Sequence, residues 1–314
     1  MTQINGVFGL APILAATAVS VRRTLLVAVL ATGFSFLLGP LGSPPGSRDW
    51  VVRAIFCAVI SAVAVLSAAN RVRRERQLVR MTVIAQAAQQ AVLRALPTSV
   101  GPVELAGRYV SATADALVGG DLYEVTSTPH GVRMIVGDVR GKGLEAVQLA
   151  ATVLGAFRQA AVEQPDLTAV VKAMDAVVSA VTGDEDFVTV ALVQVGVDGR
   201  VDVVSCGHHP PLLLGPNGAV TLLDTGPETT PLGLDPEPAV MSMRWAPGTR
   251  LLAYTDGLVE ARNPAGEFFS LLDHAGTLAT GALQDALDAL VAELHVHTGR
   301  RLRDDMALLL VEFP

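Results

Sequence analysis

The sequence predicts an α+β fold: an antiparallel β-sandwich flanked by helix pairs, preceded by transmembrane helices. Three observations lead there. Hydrophobic residues make up 51% of the 314 residues while aromatics make up only 4%, and the apolar excess is concentrated near the N-terminus. From about Val103 onward, short apolar runs are separated by Pro129-His130-Gly131, Asp198-Gly199 and Asn217-Gly218, turn residues that suit tight hairpins and hence antiparallel pairing. Helical periodicity, by contrast, is confined to a few blocks set apart from those hairpins instead of alternating with each strand, which favours α+β over a parallel α/β arrangement.

The N-terminal block, residues 1–75, reads as a membrane region with two or three spans. Ile4 to Val21 and Leu25 to Leu41 carry no charge, and Val51 to Ala69 carries only Arg53, close enough to one end to snorkel. The first two runs are barely long enough to cross a bilayer. Arg22 and Arg23 fall between the first and second runs, and Arg71, Arg73, Arg74 and Arg76 follow the third. The connection from Ser43 to Asp49 is nearly neutral, so the positive-inside rule puts both basic clusters, and everything after them, on the cytoplasmic side. A cleaved signal peptide ending near Ala16-Thr17-Ala18 is the alternative, but no basic segment precedes the apolar stretch and two further apolar runs follow it. Residues 1–100 hold ten basic and two acidic side chains, so the remainder is strongly acidic within a total of −7. That distribution suits a multi-pass cell-membrane anchor with an acidic cytoplasmic domain, and it excludes nucleic acid as a partner. Two cysteines, Cys57 in an apolar run and Cys206 at a strand end, make no disulfide framework.

Residues 76–97 form a helical linker. Leu78, Met81, Ala85, Ala88, Val92 and Ala95 recur at steps of three and four, the seam of a short coiled coil that would pair two copies of the chain, and Pro97 stops it. Because alanine makes a weak knob, a single amphipathic helix lying on the following domain or on the bilayer fits the same pattern.

The domain from 98 to 314 is predicted element by element. Val103 to Ser111, Asp121 to Ser127 and Val132 to Gly137 read as strands, the last two joined by the Pro-His-Gly turn. Leu144 to Ala161 and Asp166 to Val181 read as helices, with Asp166 as N-cap of the second. Phe187 to Val195, Val201 to Cys206, Leu212 to Leu214, Val220 to Leu223, Met241 to Trp245 and Leu251 to Tyr254 continue the strands. A helix from Leu283 to His297 and a closing strand from Met306 to Phe313 complete the order.

Asp121, Asp138, Asp256 and the pair Asp304/Asp305 lie at the ends of these predicted strands, so folding would gather them. Glycines beside three of them (Gly119-Gly120, Gly137, Gly257) keep the adjoining backbone free of bulk. Carboxylates brought together without compensation repel, and a cation is their natural partner; all-oxygen ligation favours Mg²⁺ or Mn²⁺ over zinc. Cys206, His208 and His209 find no second Cys or His pair to complete a zinc site, and the two histidines read as turn residues beside the cluster. The run Gly137 to Gly143 has three residues before Gly141-Lys142 and no following Ser or Thr, so it is no P-loop, and no Gly-x-Ser-x-Gly elbow occurs.

In order along the chain, GGDLYE, GDVRGKG, DFVTVALV, GHHPPLLL, PLGL, YTDGLVEARN and DDMALLL resemble the blocks of the SpoIIE/RsbU-type bacterial branch of the type 2C metal-dependent serine/threonine phosphatases. The resemblance covers Val103 to the C-terminus. It implies a β-sandwich between helix pairs, a phosphatase domain over 98–314, and two divalent cations, Mn²⁺ or Mg²⁺, at one edge. It also implies Asp121, Asp138, Asp256 and Asp304 as metal ligands, with Asp138 bridging, the Val139 carbonyl as a further ligand, and Asp305 replacing Asp304 if the alignment slips by one. The reaction implied is attack on a phosphoserine or phosphothreonine protein, such as a STAS-type anti-anti-sigma factor, by a water activated between the ions, with Asp121, Asp138 and Asp256 at its centre. This chain departs from the usual pattern at Arg140, often Ser, and at Asp175, often Asn. Arg140 or Lys142 would bind phosphate, or would be solvated turn residues. The alternative reading is a non-catalytic membrane-tethered signalling module that kept the fold.

Overall fold

The computed structural model describes residues 4–38, 44–111, 119–183, 185–227 and 229–313. The chain divides into two compact units, residues 1–81 and 82–314.

In the first unit, α1 (Ile4–Ala18), α2 (Val21–Leu38) and the start of α3 (Arg48–Val92) account for the apolar runs. Small side chains are buried between them, among them Ala16, Ala28, Ala31, Cys57, Ala64 and Ala68, while Leu26, Leu37, Val52, Phe56 and Leu66 point outward. Small residues inside and large apolar ones outside is the reverse of the packing usual for helices surrounded by water. Two helices, α2 and the Arg48–Gln89 part of α3, are long and apolar enough to cross a membrane, and only 22% of each apolar window is buried. The first expected run forms 15 residues of helix containing Pro12, short of a full crossing. Arg22 and Arg23 sit in the first turn of α2, not in a loop. Arg71 donates to the carbonyls of Ala16 and Val19 (3.1 and 2.8 Å), satisfying acceptors that the end of α1 leaves open. The end of the second expected run, residues 39–41, lies outside the described residues.

The expected linker is not a separate element. Helix α3 runs 45 residues without interruption and ends at Val92, because Arg, Glu, Gln and Met of residues 71–81 are good helix formers however polar. Of the expected seam, Leu78 and Met81 are exposed, whereas Ala85 is buried against Val147 within the second unit.

The second unit holds β1 (Ser99–Val100), β2 (Val103–Val110), β3 (Leu122–Thr128), β4 (Gly131–Val139), α4 (Leu144–Glu163), α5 (Leu167–Ser179), β5 (Val188–Val195), β6 (Arg200–Cys206), β7 (Leu212–Leu214), β8 (Val220–Leu222), β9 (Met241–Arg244), β10 (Thr249–Tyr254), α6 (Asp256–Val259), α7 (Leu271–His274), α8 (Leu283–His297) and β11 (Met306–Phe313). One sheet has the order β1-β2-β11-β10-β7-β8 and the other β3-β4-β5-β6-β9, every described pairing being antiparallel. Asp166 caps α5 as expected, accepting from Ala169 N at 2.9 Å. Asp175, the departure noted above, accepts from Gly233 N at 2.7 Å and ties α5 to the loop before β9.

Side-chain alternation fixes the layers. Along β4, Val132, Met134 and Val136 fill the space between the sheets with Leu251, Ala253, Ala307, Leu309 and Val311. The opposite residues, Ile135 and Val139, pack under α4 and α5 with Leu154, Phe157 and Met174. On the other outer face Leu252, Tyr254, Leu308 and Leu310 meet Leu287, Leu290 and Leu294 of α8. The result is helix, sheet, sheet, helix, the α+β sandwich that the sequence predicts.

A buried arginine locks each outer layer. Arg133 has no exposed surface, and it bonds the carbonyls of Ala161, Gln164 and Pro165 at the α4–α5 turn and Gln194 Oε1, all at 2.7–3.0 Å. Arg250 does the same on the far side, to Leu278 O, Gly281 O and Glu312. Arg133→Met should therefore destabilise the second unit by about 2–4 kcal/mol, because it strands buried carbonyls as well as removing a charge. Thermal unfolding of the two proteins checks this, and an unchanged midpoint would show that the turn relaxes to satisfy its own carbonyls.

Candidate metal centre

One strand pairing and one strand end decide where the acidic residues meet. In the β3–β4 hairpin Leu122 lies opposite Gly137, so one step further Asp121 faces Asp138 across the ladder. Both follow the alternation of Tyr123, Val125, Val136 and Met134 and point between the sheets, at their edge. From the other sheet Asp256 arrives at the first residue of α6, directly after β10. One oxygen from each of Asp121, Asp138 and Asp256 lies within 4.8 Å of the others.

Backbones approach closely to allow this. A Cβ on Gly120 would lie 2.6 Å from the Val139 carbonyl, and one on Gly257 would lie 1.9 Å from the Asp305 carbonyl. Glycine is required at both places.

Burial and mutual repulsion dominate the electrostatics. Burial, then the charge of Asp138, pushes the Asp121 carboxyl well above its ordinary value. Burial and the Asp256 charge hold Asp138 at about 7. Burial and Asp304 raise Asp256. Among the described residues no ion pair relieves any of the three. A cluster of hard oxygen donors held together at this cost fits a divalent cation such as Mg²⁺ or Mn²⁺.

Thr255, which no motif singles out, and His208, expected only as a turn residue, hold the cluster in place. The Thr255 hydroxyl donates to Asp121 Oδ2 at 2.7 Å and accepts from Ala307 N at 2.8 Å, tying the Asp121 carboxylate to β11 of the other sheet. Its signal was only its position before Asp256. His208 joins two other strands: its Nε2 meets the Tyr254 carbonyl at 3.0 Å and so must donate, leaving Nδ1 to accept from Thr189 Oγ1 at 3.0 Å. Desolvation depresses its pKa to about 4, consistent with a neutral ring. His209 stacks on Tyr254.

The two adjacent aspartates part company. Asp305 is buried, and its Oδ2 accepts from Gly119 N at 2.5 Å and from the Tyr109 hydroxyl at 2.8 Å. Gln89, near the end of α3, donates to the Gly119 carbonyl at 3.1 Å and bonds the same hydroxyl. Asp304 instead faces a cleft of about 350 Å³ that it lines with Asp138, Val139, Arg140, Lys142, His209 and Asp256. There Lys142 Nζ lies 2.8 Å from both of its carboxylate oxygens. Arg140 stands at the rim with its guanidinium over the Phe187 ring and bonded to the Glu185 carbonyl. Val139, the last residue of β4, lines the same cleft.

Two outcomes follow from these contacts. For a carboxyl raised in the fold, the unfolded chain binds fewer protons between the ordinary value and the folded one, so stability falls as pH rises through that window. For Asp138 the window runs from 3.8 to about 7. Metal-free protein should therefore melt higher near pH 5 than near pH 8, and Mn²⁺ should raise the midpoint more at pH 8; melting curves with chelator or Mn²⁺ read both. Thr255→Val, nearly isosteric, should weaken Mn²⁺ binding about tenfold by releasing Asp121, as calorimetric titration would show; equal affinity would make Thr255 purely structural.

Comparisons with known proteins agree with this geometry. The family described as Stage II sporulation protein E (SpoIIE) matches residues 128–314. Protein IcfG of Synechocystis sp. is 31% identical over 120 residues, which is 36% of this chain; the chain spans 18% of that protein. The SiaA-PP2C domain of Pseudomonas aeruginosa superposes with a TM-score of 0.63 at 22% identity, over 79% of this chain and all of that one. The catalytic domain of the serine/threonine phosphatase PstP, solved with two manganese ions, superposes at 0.54 and 16% identity, over 67% of this chain and 97% of that one. With the family matched over more than half its length and a type 2C phosphatase fold beneath it, this chain belongs to the SpoIIE family.

Proposed function

We propose that this protein is a membrane-anchored, metal-dependent serine/threonine protein phosphatase whose catalytic domain faces the cytoplasm. The observation that carries the reading is the convergence of Asp121, Asp138 and Asp256, from three chain segments and both sheets, on one point beside an open cleft.

Asp121, Asp138, Asp256 and Asp304, with the Val139 carbonyl, would hold two divalent cations, Mn²⁺ or Mg²⁺. When bound, such ions lower the pKa of a water and screen the charge of a phosphoryl group. The chain's own residues supply the rest. Asp138, within reach of both Asp121 and Asp256, would bridge the two ions, and Thr255 keeps Asp121 oriented. No described Ser or Cys stands in the cleft as a nucleophile, which agrees with direct attack by water. The cleft is shallow and open, suited to a phosphorylated side chain on a folded protein surface. Arg140 and Lys142 stand on its rim, where they would meet phosphoryl oxygens.

The substrate we assign is a phosphoserine or phosphothreonine protein, with a STAS-type anti-anti-sigma factor as the specific class, on the strength of the family. The packing of α2 and α3, with small residues inside and large apolar ones outside, supports the membrane anchor. The distribution of Arg22, Arg23 and Arg71 to Arg76 supports the cytoplasmic orientation. Pairing of two copies through the exposed Leu78 and Met81 is the remaining part of the proposal.

The deciding measurement is Mn²⁺-dependent phosphate release from a phosphoserine peptide. Wild type should turn over, chelator should stop it, and Asp138→Asn should fall to the metal-free background. Turnover that survives both treatments would refute a carboxylate-held metal as the catalyst.

A further inference from the structure

The four carboxylates gathered at this edge of the sheets are not equivalent. Asp121, Asp138 and Asp256 form a group without an ion pair among the described residues, whereas Asp304 is paired to Lys142 through both oxygens at 2.8 Å. We infer that Lys142 is an internal competitor for the cation on Asp304: its ammonium neutralises that carboxylate in the metal-free site and must leave when a second divalent ion binds there. This deepens the two-cation reading above and rests on it.

The fold places the ammonium there. Lys142 sits between Gly141 and Gly143, both at positive φ (110° and 94°), a backbone path that other residues rarely adopt. An isolated antiparallel bridge joins Lys142 to Gly119, so the lysine backbone is fixed to the same loop that carries Asp121. Its side chain therefore starts from a set position at the cleft edge, not from a loose surface turn.

Asp304 lines the cleft together with Asp138 and Asp256, so an ion held by Asp304 shares those carboxylates. Because Lys142 already neutralises Asp304, that ion gains only what it adds over a single positive charge, and the pair must break first, which makes its binding the weaker of the two steps. Both partners are partly exposed, 40% for Lys142 and 46% for Asp304, so the latch is a weak one that a divalent ion can open. Once released, the ammonium stands at the mouth of the cleft with no carboxylate of its own.

Calorimetric titration of Mn²⁺ into the full-length protein in detergent at low ionic strength, without substrate, tests this. Wild type should show a tight and a weaker binding step. K142Q should tighten the weaker step by about two- to fivefold, the worth of an exposed ion pair, and leave the tight step unchanged; K142R, which keeps the charge, should titrate like wild type. D304N should remove the weaker step with or without K142Q. Raising the salt should shrink the difference between wild type and K142Q. Two steps in wild type with the weaker one unmoved or weakened in K142Q would overturn the competitor role and leave the two-cation site standing. Absence of any Mn²⁺ binding in wild type would overturn both.

Discussion

Mutual repulsion among Asp121, Asp138 and Asp256 is the constraint to which the rest of the domain answers. Left to themselves, three carboxylates within 4.8 Å in a partly buried site would separate or take up protons. They stay because each is at the end of a strand whose other residues are committed elsewhere. Val136 and Tyr123 belong to the core between the sheets, and Leu252 and Tyr254 to the contact with α8. The hydrophobic layers thus provide the free energy that holds like charges together, and a bound cation would return part of it.

That division of labour explains the polar residues buried around the cluster. Thr255 carries a proton donor to Asp121 without adding charge. His208 fastens the strand carrying Thr189 to the one ending in Tyr254 and does so as a neutral ring. Asp305 brings another negative charge close to the site, and the Gly119 amide and the Tyr109 hydroxyl both donate to it. Burial and the charge of Asp305 in turn hold the Tyr109 phenol protonated, far above its ordinary value, so it remains a donor.

Much of this was legible in the sequence because hairpins obey a two-residue period. The Pro129-His130-Gly131 turn sets the β3–β4 register, and counting outward from it puts Asp121 opposite Asp138. Counting back from Met306, which packs toward α8, puts Asp305 on the inward face and Asp304 at the edge, so the same rule separates two neighbours that motif matching leaves interchangeable. Other features were hidden for physical reasons. Arg133 breaks the apolar run of β4 and reads as a solvent-facing residue; only the tertiary position of the α4–α5 turn shows that its guanidinium ends among carbonyls. The short helices α6 and α7 have too few turns to show periodicity. The continuity of α3 was masked by polarity: hydropathy marks a boundary near Arg71, but backbone helicity depends on propensity, and residues 71–92 have it in full.

Helix α3 also shows why a linker of this kind is more than a tether. Its last turns are packed as part of the catalytic unit: Ala85 against Val147, Gln89 on the Gly119 carbonyl, and the Val92 carbonyl accepting from Arg158, which also pairs with Glu124. Gly119 is two residues from Asp121 and bridges to Lys142, while its amide holds Asp305. A displacement of the helix end by a fraction of a turn would move Gln89 off that carbonyl and loosen the loop on which one buried carboxylate and the competing ammonium both depend. Lys142 and the Gly119 loop are therefore the part of the cleft most sensitive to a shift of the helix end, because they are held by single hydrogen bonds and one half-exposed ion pair, whereas Asp121, Asp138 and Asp256 sit at the ends of whole strands.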